Sequence, residues 1–281
     1  MRNWFFIESA FAYIRTVPVS LAIRELNRLL AFKDIKKNYG LTNLNPILDV
    51  GCGDGFWWQL QPEHERDNIF GIDISDTLVK EANKYINAEL CDISKDRPFK
   101  DRNFPLIVGN CSLEHVEDIS TALTNIHKSA TQKSCTLILI VPTVHWAYQG
   151  YTQQFLLRKF PRIAMAISGA LNGFFQHWHV YDYSVWEIIL QKTGWRVIDG
   201  FGLGNKKSEF LFRLFLPFAF IGFIFKSIIG FYPNKLFRFV PKFLLQPIII
   251  LMEWALKNPI VDKNDSSAYE LIIVAEKNVT S

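Results

Sequence analysis

The sequence predicts an open α/β sheet of mostly parallel strands, with helices on both faces and a hydrophobic helical insertion late in the chain. Two observations predict the sheet: short apolar runs end at glycine or acidic residues, and amphipathic stretches separate these runs. A third observation predicts the insertion, because residues 205–262 combine phenylalanine with lysine and arginine before a strand-like pattern resumes at residue 269. The 281 residues suffice for one such domain and its insertion.

The first strand is the apolar run Ile47, Leu48 and Val50, which stops at alternating glycines at positions 51, 53 and 55. Glycine permits positive φ and a close approach of the backbone to a ligand. We expect a helix to begin near Trp57 and to direct its N–H groups at the same turn. Ligands of open α/β sheets bind at the carboxyl ends of strands, so this turn should hold a nucleotide-like ligand. Asp49 would repel a pyrophosphate but could hold an ammonium or hydroxyl group.

Four segments resemble, in order, the motifs of class I S-adenosylmethionine-dependent methyltransferases of the small-molecule or lipid type, often called methyltransferase type 11. They are ILDVGCGDG (47–55), GIDIS (71–75), LCDI (90–93) and LIVGNCSLEHV (106–116). The resemblance is clear over residues 45–142 and weaker over 178–204 and 269–277. It implies a Rossmann-like, seven-stranded sheet whose last strand is antiparallel. It also implies a methyl-transferring enzyme with S-adenosylmethionine as its cofactor.

The resemblance implies cofactor contacts at the ends of the first, second, third and fourth strands. It implies that Asp73 binds the ribose, because one carboxylate can accept hydrogen bonds from two adjacent hydroxyls. The alternative is a helix cap, which Ser75 or Asp76 would provide equally well. Ile74 would pack on the adenine, Asp92 would accept from its amino group, and Ile93 would supply a backbone amide. The full predicted set is Asp49, Gly51, Gly53, Asp73, Ile74, Asp92, Ile93 and Asn110.

Three histidines are candidates for a catalytic base or for substrate contact: His115, His177 and His179. Glu114 and His115 could instead begin and brace the next helix, and the sequence leaves both interpretations open. His177 and His179 lie in a loop that, by the resemblance, opens onto the active site. We predict no metal, because no third ligand accompanies this pair at the usual spacing. The four cysteines lack metal-ligand spacing and are predicted to be free thiols.

The segments around the core have separate predicted roles. Residues 1–44 should form an N-terminal helical cap with a break at Pro18, and the core should occupy residues 45–204. Within that core, residues 145–176 should form a helical cover on the substrate side. Residues 263–281 should provide the last core strand and a tail.

The insertion at residues 205–262 is the least ordinary part of the chain. Eleven of the 24 phenylalanines lie between Phe210 and Phe243, with about eight basic residues against two acidic ones from 205 to 260. Its uncharged run, 214–225, is short of the roughly 20 residues that a spanning helix needs. Prolines at 217, 233, 241 and 247 should divide it into short pieces. Such aromatic and basic helices favour an interfacial position on the cytosolic face of a membrane. A transmembrane or re-entrant hairpin and a soluble lid are the alternatives.

These surfaces predict an amphipathic or lipid-linked small-molecule acceptor that is methylated on oxygen or carbon. No nucleic-acid partner is predicted, because the net charge is only +4 and the basic residues lie on apolar segments. An inactive methyltransferase-like binding or scaffold protein is the alternative from another class, and a protein methyltransferase also stays open. The sequence does not define the oligomeric state.

Overall fold

A computed structural model describes residues 4–61, 63–144, 146–148 and 151–278. The strands are β1 (Ile47–Val50), β2 (Ile69–Asp73), β3 (Asn87–Leu90), β4 (Leu106–Asn110), β5 (Thr136–Pro142), β6 (Trp195–Leu203), β7 (Ile260–Asp262) and β8 (Glu270–Lys277). The helices are α1 (Trp4–Ile14), α2 (Val19–Asn38), α3 (Phe56–Gln59), α4 (Glu63–Arg66), α5 (Asp76–Ala82), α6 (Ile119–Ser129), α7 (Tyr151–Lys159), α8 (Pro161–Phe174), α9 (Tyr183–Lys192), α10 (Lys206–Ile229) and α11 (Lys242–Ala255). Two 3₁₀ turns, Leu113–His115 and Pro233–Phe239, complete the elements.

The strands form one sheet in the order β3-β2-β1-β4-β5-β8-β6-β7. β1 to β5 pair in parallel, and β8 inserts antiparallel between β5 and β6. The predicted fold class is therefore confirmed, including the antiparallel last strand. The sequence did not indicate the three-residue edge strand β7, which pairs with β6.

The alternation of side chains along each strand supplies two cores, one on each face of the sheet. Ile47 of β1 packs with α1, α2, α10 and α11, whereas Leu48 and Val50 pack with α6 and α9 on the opposite face. β5 is buried along its whole length, as expected for a strand covered on both faces. This layering brings the carboxyl ends of β1 to β4 to one edge of the sheet.

Two helices precede the sheet, and the predicted break falls at Pro18, which precedes the first residue of α2. Residues 1–3, where the predicted cap begins, lie outside the described residues. α2 buries one face against the sheet, and α1 lies beside both α2 and α11. α7 and α8 pack against each other within the predicted cover. His145, the first residue of that predicted cover, also lies outside the described residues.

The prediction that prolines divide the insertion into short pieces is wrong at two of the four positions. Pro217 lies inside the 24-residue helix α10, and Pro247 lies inside α11. A proline removes one intrahelical hydrogen bond, and the strong ends of α10 offset that loss: Asn205 forms a capping box, and Gly230 ends the helix at φ 80°. Within the described part of the chain, α10 is the one helix whose length and composition would allow it to cross a membrane.

Candidate active site at the carboxyl edge of the sheet

The glycine turn after β1 is closed tightly against the loop that follows β4. Gly51, Gly53 and Gly55 have φ values of 77°, 57° and 72°, in the left-handed region that favours glycine. The backbone amide of Gly51 donates to the Ile72 carbonyl at 2.8 Å. A Cβ at Gly51 would overlap the Cβ of Ser112, so only glycine fits between the turn and the neighbouring loop.

The helix expected after this turn is only a four-residue turn, α3. The helix predicted to begin near Trp57 is therefore present but short, and the prediction that its N–H groups face a ligand stays a prediction. Trp57 and Trp58 are both buried and pack on Phe32 of α2, so this segment is fixed against a neighbouring helix. Any anion-binding contribution must come from the backbone of the turn itself.

The structure contains a cavity of about 470 Å³ between α1, α3 and the second 3₁₀ turn, away from the predicted site. The predicted residues lie instead at another cavity, at the carboxyl edge of the sheet. This cofactor cavity has a volume of about 430 Å³ and crosses the ends of β1, β2, β3 and β4. Six of the predicted residues line it: Gly51, Asp73, Ile74, Asp92, Ile93 and His115. The other five, Asp49, Gly53, Asn110, His177 and His179, are not among its lining residues.

Asp73 connects the glycine turn to the end of β2. Its Oδ2 accepts from the Gly53 amide at 3.1 Å, and its Oδ1 accepts from the Ser75 amide at 2.9 Å. Each oxygen keeps a second lone pair, so both can still accept from a ligand hydroxyl. Ser75 provides the side-chain cap of α5, which removes the need for Asp73 to serve as one.

The nucleoside end of the cavity combines an apolar surface with a paired carboxylate. Ile74 is 76% exposed, an unusual state for a large aliphatic side chain that no protein group covers. Asp92 Oδ2 lies 2.8 Å from Lys95 Nζ, and Asp92 Oδ1 accepts from the Ser94 amide and hydroxyl. Hydrogen bonds from Lys95 and Ser94 lower the pKa of Asp92. Asp92 is therefore an anion, and the contact that it makes with adenine stays a prediction.

Two buried oxygen atoms beside the cavity could accept hydrogen bonds from an ammonium group. Asp49 Oδ1 and Asn110 Oδ1 are buried and accept from no group in the described residues. Asp49 Oδ2 accepts from Trp58 Nε1 at 2.5 Å. Burial raises the pKa of Asp49 to about 7, although the Trp58 bond partly opposes that effect. Because an ammonium offers three N–H donors, the amino-acid end of S-adenosylmethionine is compatible with these acceptors.

The three candidate histidines occupy different environments. His115 Nδ1 lies 3.2 Å from the Gln176 carbonyl oxygen, and its ring centroid is 5.2 Å from that of His177. Burial and the nearby His115 lower the pKa of His177 to about 4. His179 is buried, with Nε2 at 2.7 Å from the Val116 carbonyl and Nδ1 at 3.0 Å from the Tyr181 hydroxyl. With both ring nitrogens engaged, His179 braces the loop, and this placement disfavours a role as a base.

Sequence reasoning missed a buried charge cluster at this edge of the sheet. Glu270, the first residue of β8, is fully buried and its Oε1 forms ion pairs with Arg24 and Arg28 of α2. Burial alone would raise the pKa of Glu270, but the two guanidiniums lower it to about 2. The signal in the sequence was an acidic residue directly before the apolar run of β8. The cluster fixes α2 to the edge of the sheet that carries the cofactor cavity. Cys111, which lines that cavity, lies with its Sγ 3.8 Å from Glu270 Oε1.

The structure is an α/β domain with a cavity across the carboxyl ends of its parallel strands, which is where open α/β sheets bind ligands. Residues 48–139 match the family model described as "Methyltransferase domain". The structure is similar over 92% of its length to 87% of a Galdieria sulphuraria chain described as a "putative sarcosine dimethylglycine methyltransferase", with a TM-score of 0.54 and 11% identity. It is also similar, over 91% of its length, to 85% of the plantazolicin methyltransferase BpumL solved with SAH, with a TM-score of 0.50 and 15% identity. These two likenesses support the fold alone.

A sequence relative is human "Arginine-hydroxylase NDUFAF5, mitochondrial", which is 30% identical over 96 residues. That match covers 34% of this chain and 26% of the relative, so it spans about a quarter of that protein's length. The matched family model, the motif order and the fold together support a class I S-adenosylmethionine-dependent methyltransferase domain around residues 48–139. The four motifs and the family match make S-adenosylmethionine the expected cofactor.

Proposed function

We propose that this chain methylates an oxygen or carbon atom of an amphipathic or lipid-linked small molecule at the cytosolic surface of a membrane. One observation carries the proposal: a methyltransferase cofactor cavity and a large exposed apolar surface belong to the same compact domain. A polar acceptor could enter the cavity from water and would not need an apolar surface. An acceptor with an apolar tail would bind more tightly where such a surface lies on the same domain.

The cofactor would supply an electrophilic methyl group on its sulfonium, and the protein would mainly position the two reactants. Asp73 would hold the ribose, Ile74 would cover the adenine, and Asp49 with Asn110 would accept from the ammonium. His115 lines the cavity and has a free Nε2 once Nδ1 donates to the Gln176 carbonyl. It is therefore the histidine best placed to receive a proton from an acceptor hydroxyl.

The membrane part of the proposal is supported by the outer side of the insertion. Phe218, Ile228, Phe239 and Phe243 are 66%, 75%, 71% and 72% exposed. Only 11% of the most apolar window of α10 is buried, although the helix packs on α2. Aromatic side chains of this kind insert at the acyl boundary, while nearby lysines and arginines attract anionic headgroups.

A cation-lined cavity beside this surface supports an anionic headgroup. The cavity of about 470 Å³ is lined by Arg15, Lys235 and Arg238, and no acidic side chain is among its described lining residues. Arg15 Nε is buried and lacks a hydrogen-bond partner among the described residues. A phosphate would satisfy such donors, which favours a membrane that contains anionic lipid.

The cofactor assignment is tested by calorimetric titration of S-adenosylmethionine and SAH into the full-length protein. We expect Asp73→Asn to weaken binding about 10- to 100-fold, because a charged acceptor contributes about 1.5–3 kcal/mol per hydrogen bond. Asp76→Asn is the matched control, since Asp76 is exposed and pairs with Lys80 four residues further along α5. Equal binding by both variants, or no binding by folded wild-type protein, would contradict the assignment.

The membrane assignment is tested by sedimentation with vesicles of phosphatidylcholine, with and without phosphatidylglycerol. We expect wild-type protein to pellet with the vesicles that contain phosphatidylglycerol and to be released as salt rises. Phe218→Glu combined with Phe243→Glu should weaken partitioning about 100-fold, because each buried aromatic contributes about 1.5–3 kcal/mol. Ile188→Glu on α9 is the control, since Ile188 is exposed on the opposite face of the sheet. Wild-type protein that stays in the supernatant would overturn membrane docking.

A second candidate is a cofactor-binding or scaffold protein that does not transfer methyl groups. The observation that favours it is the hydroxylase name of the relative that matches this chain. Cofactor binding is expected under both proposals, so titration does not separate them. Transfer of radiolabelled methyl groups to membrane lipid extracts separates them, because only the enzyme would label a lipid fraction.

A further inference from the structure

A cluster of potential ligands lies at the wall of the cofactor cavity. We propose that Glu114, His115 and His177 form a binding site for one divalent transition cation. One ligand atom from each side chain lies within 4.8 Å of the other two. The sequence prediction of no metal considered His177 with His179 and found no third ligand. The folded chain instead brings His177 to Glu114 and His115.

The loop geometry that assembles the cluster is fixed by backbone hydrogen bonds. The amides of Trp178 and His179 both donate to the Glu114 carbonyl, at 2.8 and 3.2 Å. These bonds hold the loop after α8 against the 3₁₀ turn that carries Glu114 and His115. Metal bonds of about 2.0–2.2 Å require ligand atoms roughly 3–4 Å apart, so small side-chain rotations would close the site.

The carboxylate of Glu114 lacks the partners that a buried charge requires. Glu114 is 1% exposed, and its Oε2 has no hydrogen-bond partner among the described residues. The nearby guanidiniums of Arg24 and Arg28 are already paired with Glu270 and Glu25. Neither guanidinium forms an ion pair with Glu114 among the described residues. A bound cation would pair with the Glu114 carboxylate and stabilise its charged form.

Both histidines are already oriented in the way that metal-bound histidines usually are. His115 Nδ1 faces the Gln176 carbonyl, which leaves Nε2 free at 3.8 Å from Glu114 Oε1. His177 Nδ1 lies 3.4 Å from Asn172 Oδ1, an oxygen that also accepts from Trp146 Nε1 at 2.9 Å. Such outer hydrogen bonds fix the tautomer so that the other nitrogen can bind a metal.

The donor set selects the class of cation. Two imidazoles and one carboxylate suit Zn²⁺ and Fe²⁺, whereas Mg²⁺ and Ca²⁺ prefer oxygen ligands alone. Three protein ligands also leave coordination positions open, and His115 places them beside the cofactor cavity. The site goes beyond the proposed function, because it would form whether or not the domain transfers methyl groups. It assigns His115 Nε2 to the cation, so His115 could receive a proton from an acceptor only in the metal-free protein.

The test is calorimetric titration of Zn²⁺ into full-length, chelator-treated protein without cofactor, with Co²⁺ absorption as a second readout. We expect one Zn²⁺ per chain and visible Co²⁺ bands that Zn²⁺ displaces. His177→Ala and Glu114→Gln should each weaken Zn²⁺ binding at least 100-fold. His127→Ala is the control and should bind like wild type, because His127 packs against Trp195 away from the cluster.

Three outcomes would overturn the site. They are no stoichiometric Zn²⁺ binding by wild-type protein, unchanged binding by folded His177→Ala or Glu114→Gln, and equal loss in the His127→Ala control. Far-ultraviolet circular dichroism verifies that each variant is folded. The wild-type titration tests the proposal without any variant, so the proposal can still be contradicted if a variant fails to fold. Failure here would leave the S-adenosylmethionine titration unaffected, so the two proposals fail separately.

Discussion

Replacing Glu270 with glutamine is expected to lower the free energy of unfolding by about 3–5 kcal/mol. The wild-type carboxylate is fully buried and pairs with Arg24 and Arg28, which are themselves largely buried. Glutamine has a similar shape but no charge, so the substitution leaves two guanidiniums without their buried counter-ion. Removing one partner of a buried ion pair costs far more than the pair contributes to stability, because the remaining charge stays desolvated.

The same carboxylate predicts loss of stability in acid. The pKa of Glu270 is about 2 in the folded chain, against an ordinary value of 4.5. The unfolded chain therefore binds a proton at a higher pH than the folded chain. The stabilisation is complete above about pH 5 and is lost as the pH falls towards 2. Over that interval, the free energy of unfolding of wild-type protein should fall by about 3 kcal/mol because of Glu270. The Glu270→Gln variant should not show this fall, because glutamine does not ionise.

Urea denaturation between pH 2 and pH 7 measures both effects. Glu276→Gln is a matched control, because Glu276 lies on the same strand and pairs with Arg196, but both side chains are largely exposed. Exposed pairs contribute about 0–1 kcal/mol, so this control should remain close to wild type at every pH. If both variants lost a similar amount of unfolding free energy, burial would not be the reason that the Glu270 ion pairs stabilise the protein.

The cofactor cavity was predictable because local signals define it. Glycines at 51, 53 and 55 mark a turn that only small residues can form, and Asp73 and Asp92 each directly follow a short apolar run. Parallel strands bring their carboxyl ends to one edge, so the order of the motifs was sufficient to bring these residues together. The environment of Asp49 was not predictable, since its burial depends on Trp58 and the packing of α2.

The cluster of Glu114, His115 and His177 could not be predicted, because it depends on contacts between distant segments. Sequence proximity suggested His177 with His179, but His179 is held by the Val116 carbonyl and the Tyr181 hydroxyl. The length of α10 was missed for a related reason. The prediction considered only the one backbone hydrogen bond that a proline removes from a helix. The capping box at Asn205 and the packing of α10 on α2 stabilise the helix as a whole, so it continues through Pro217.

Replacing Asp49 with asparagine is expected to have the opposite sign to the Glu270 substitution and to stabilise the protein in mild alkali. Asp49 is buried, and one of its carboxylate oxygens lacks a partner among the described residues. Its pKa rises from 3.8 to about 7 on folding, first because of burial and also because of the nearby Asp73. The folded chain thus keeps a proton that the unfolded chain releases.

The sign of the pH dependence follows from that proton. Between pH 4 and pH 7 the unfolded chain binds fewer protons at this position, so wild-type stability falls as the pH rises. Above pH 7 the accumulated cost is about 4 kcal/mol, since one pKa unit corresponds to about 1.4 kcal/mol. Asparagine cannot ionise, so Asp49→Asn should match wild type near pH 4 and exceed its stability by about 4 kcal/mol near pH 8.

Stability and cofactor affinity are expected to change in opposite directions at Asp49. If the ammonium of S-adenosylmethionine binds the charged carboxylate, the cofactor offsets the cost of burying it, and Asp49→Asn weakens binding while it stabilises the free protein. Urea denaturation from pH 4 to pH 9, with and without SAH, measures both terms. Asp67→Asn, at an exposed position before β2, controls for the loss of one negative charge. Parallel stability curves for wild type and Asp49→Asn would mean that Asp49 is ionised in the folded protein, compensated by groups other than the cofactor.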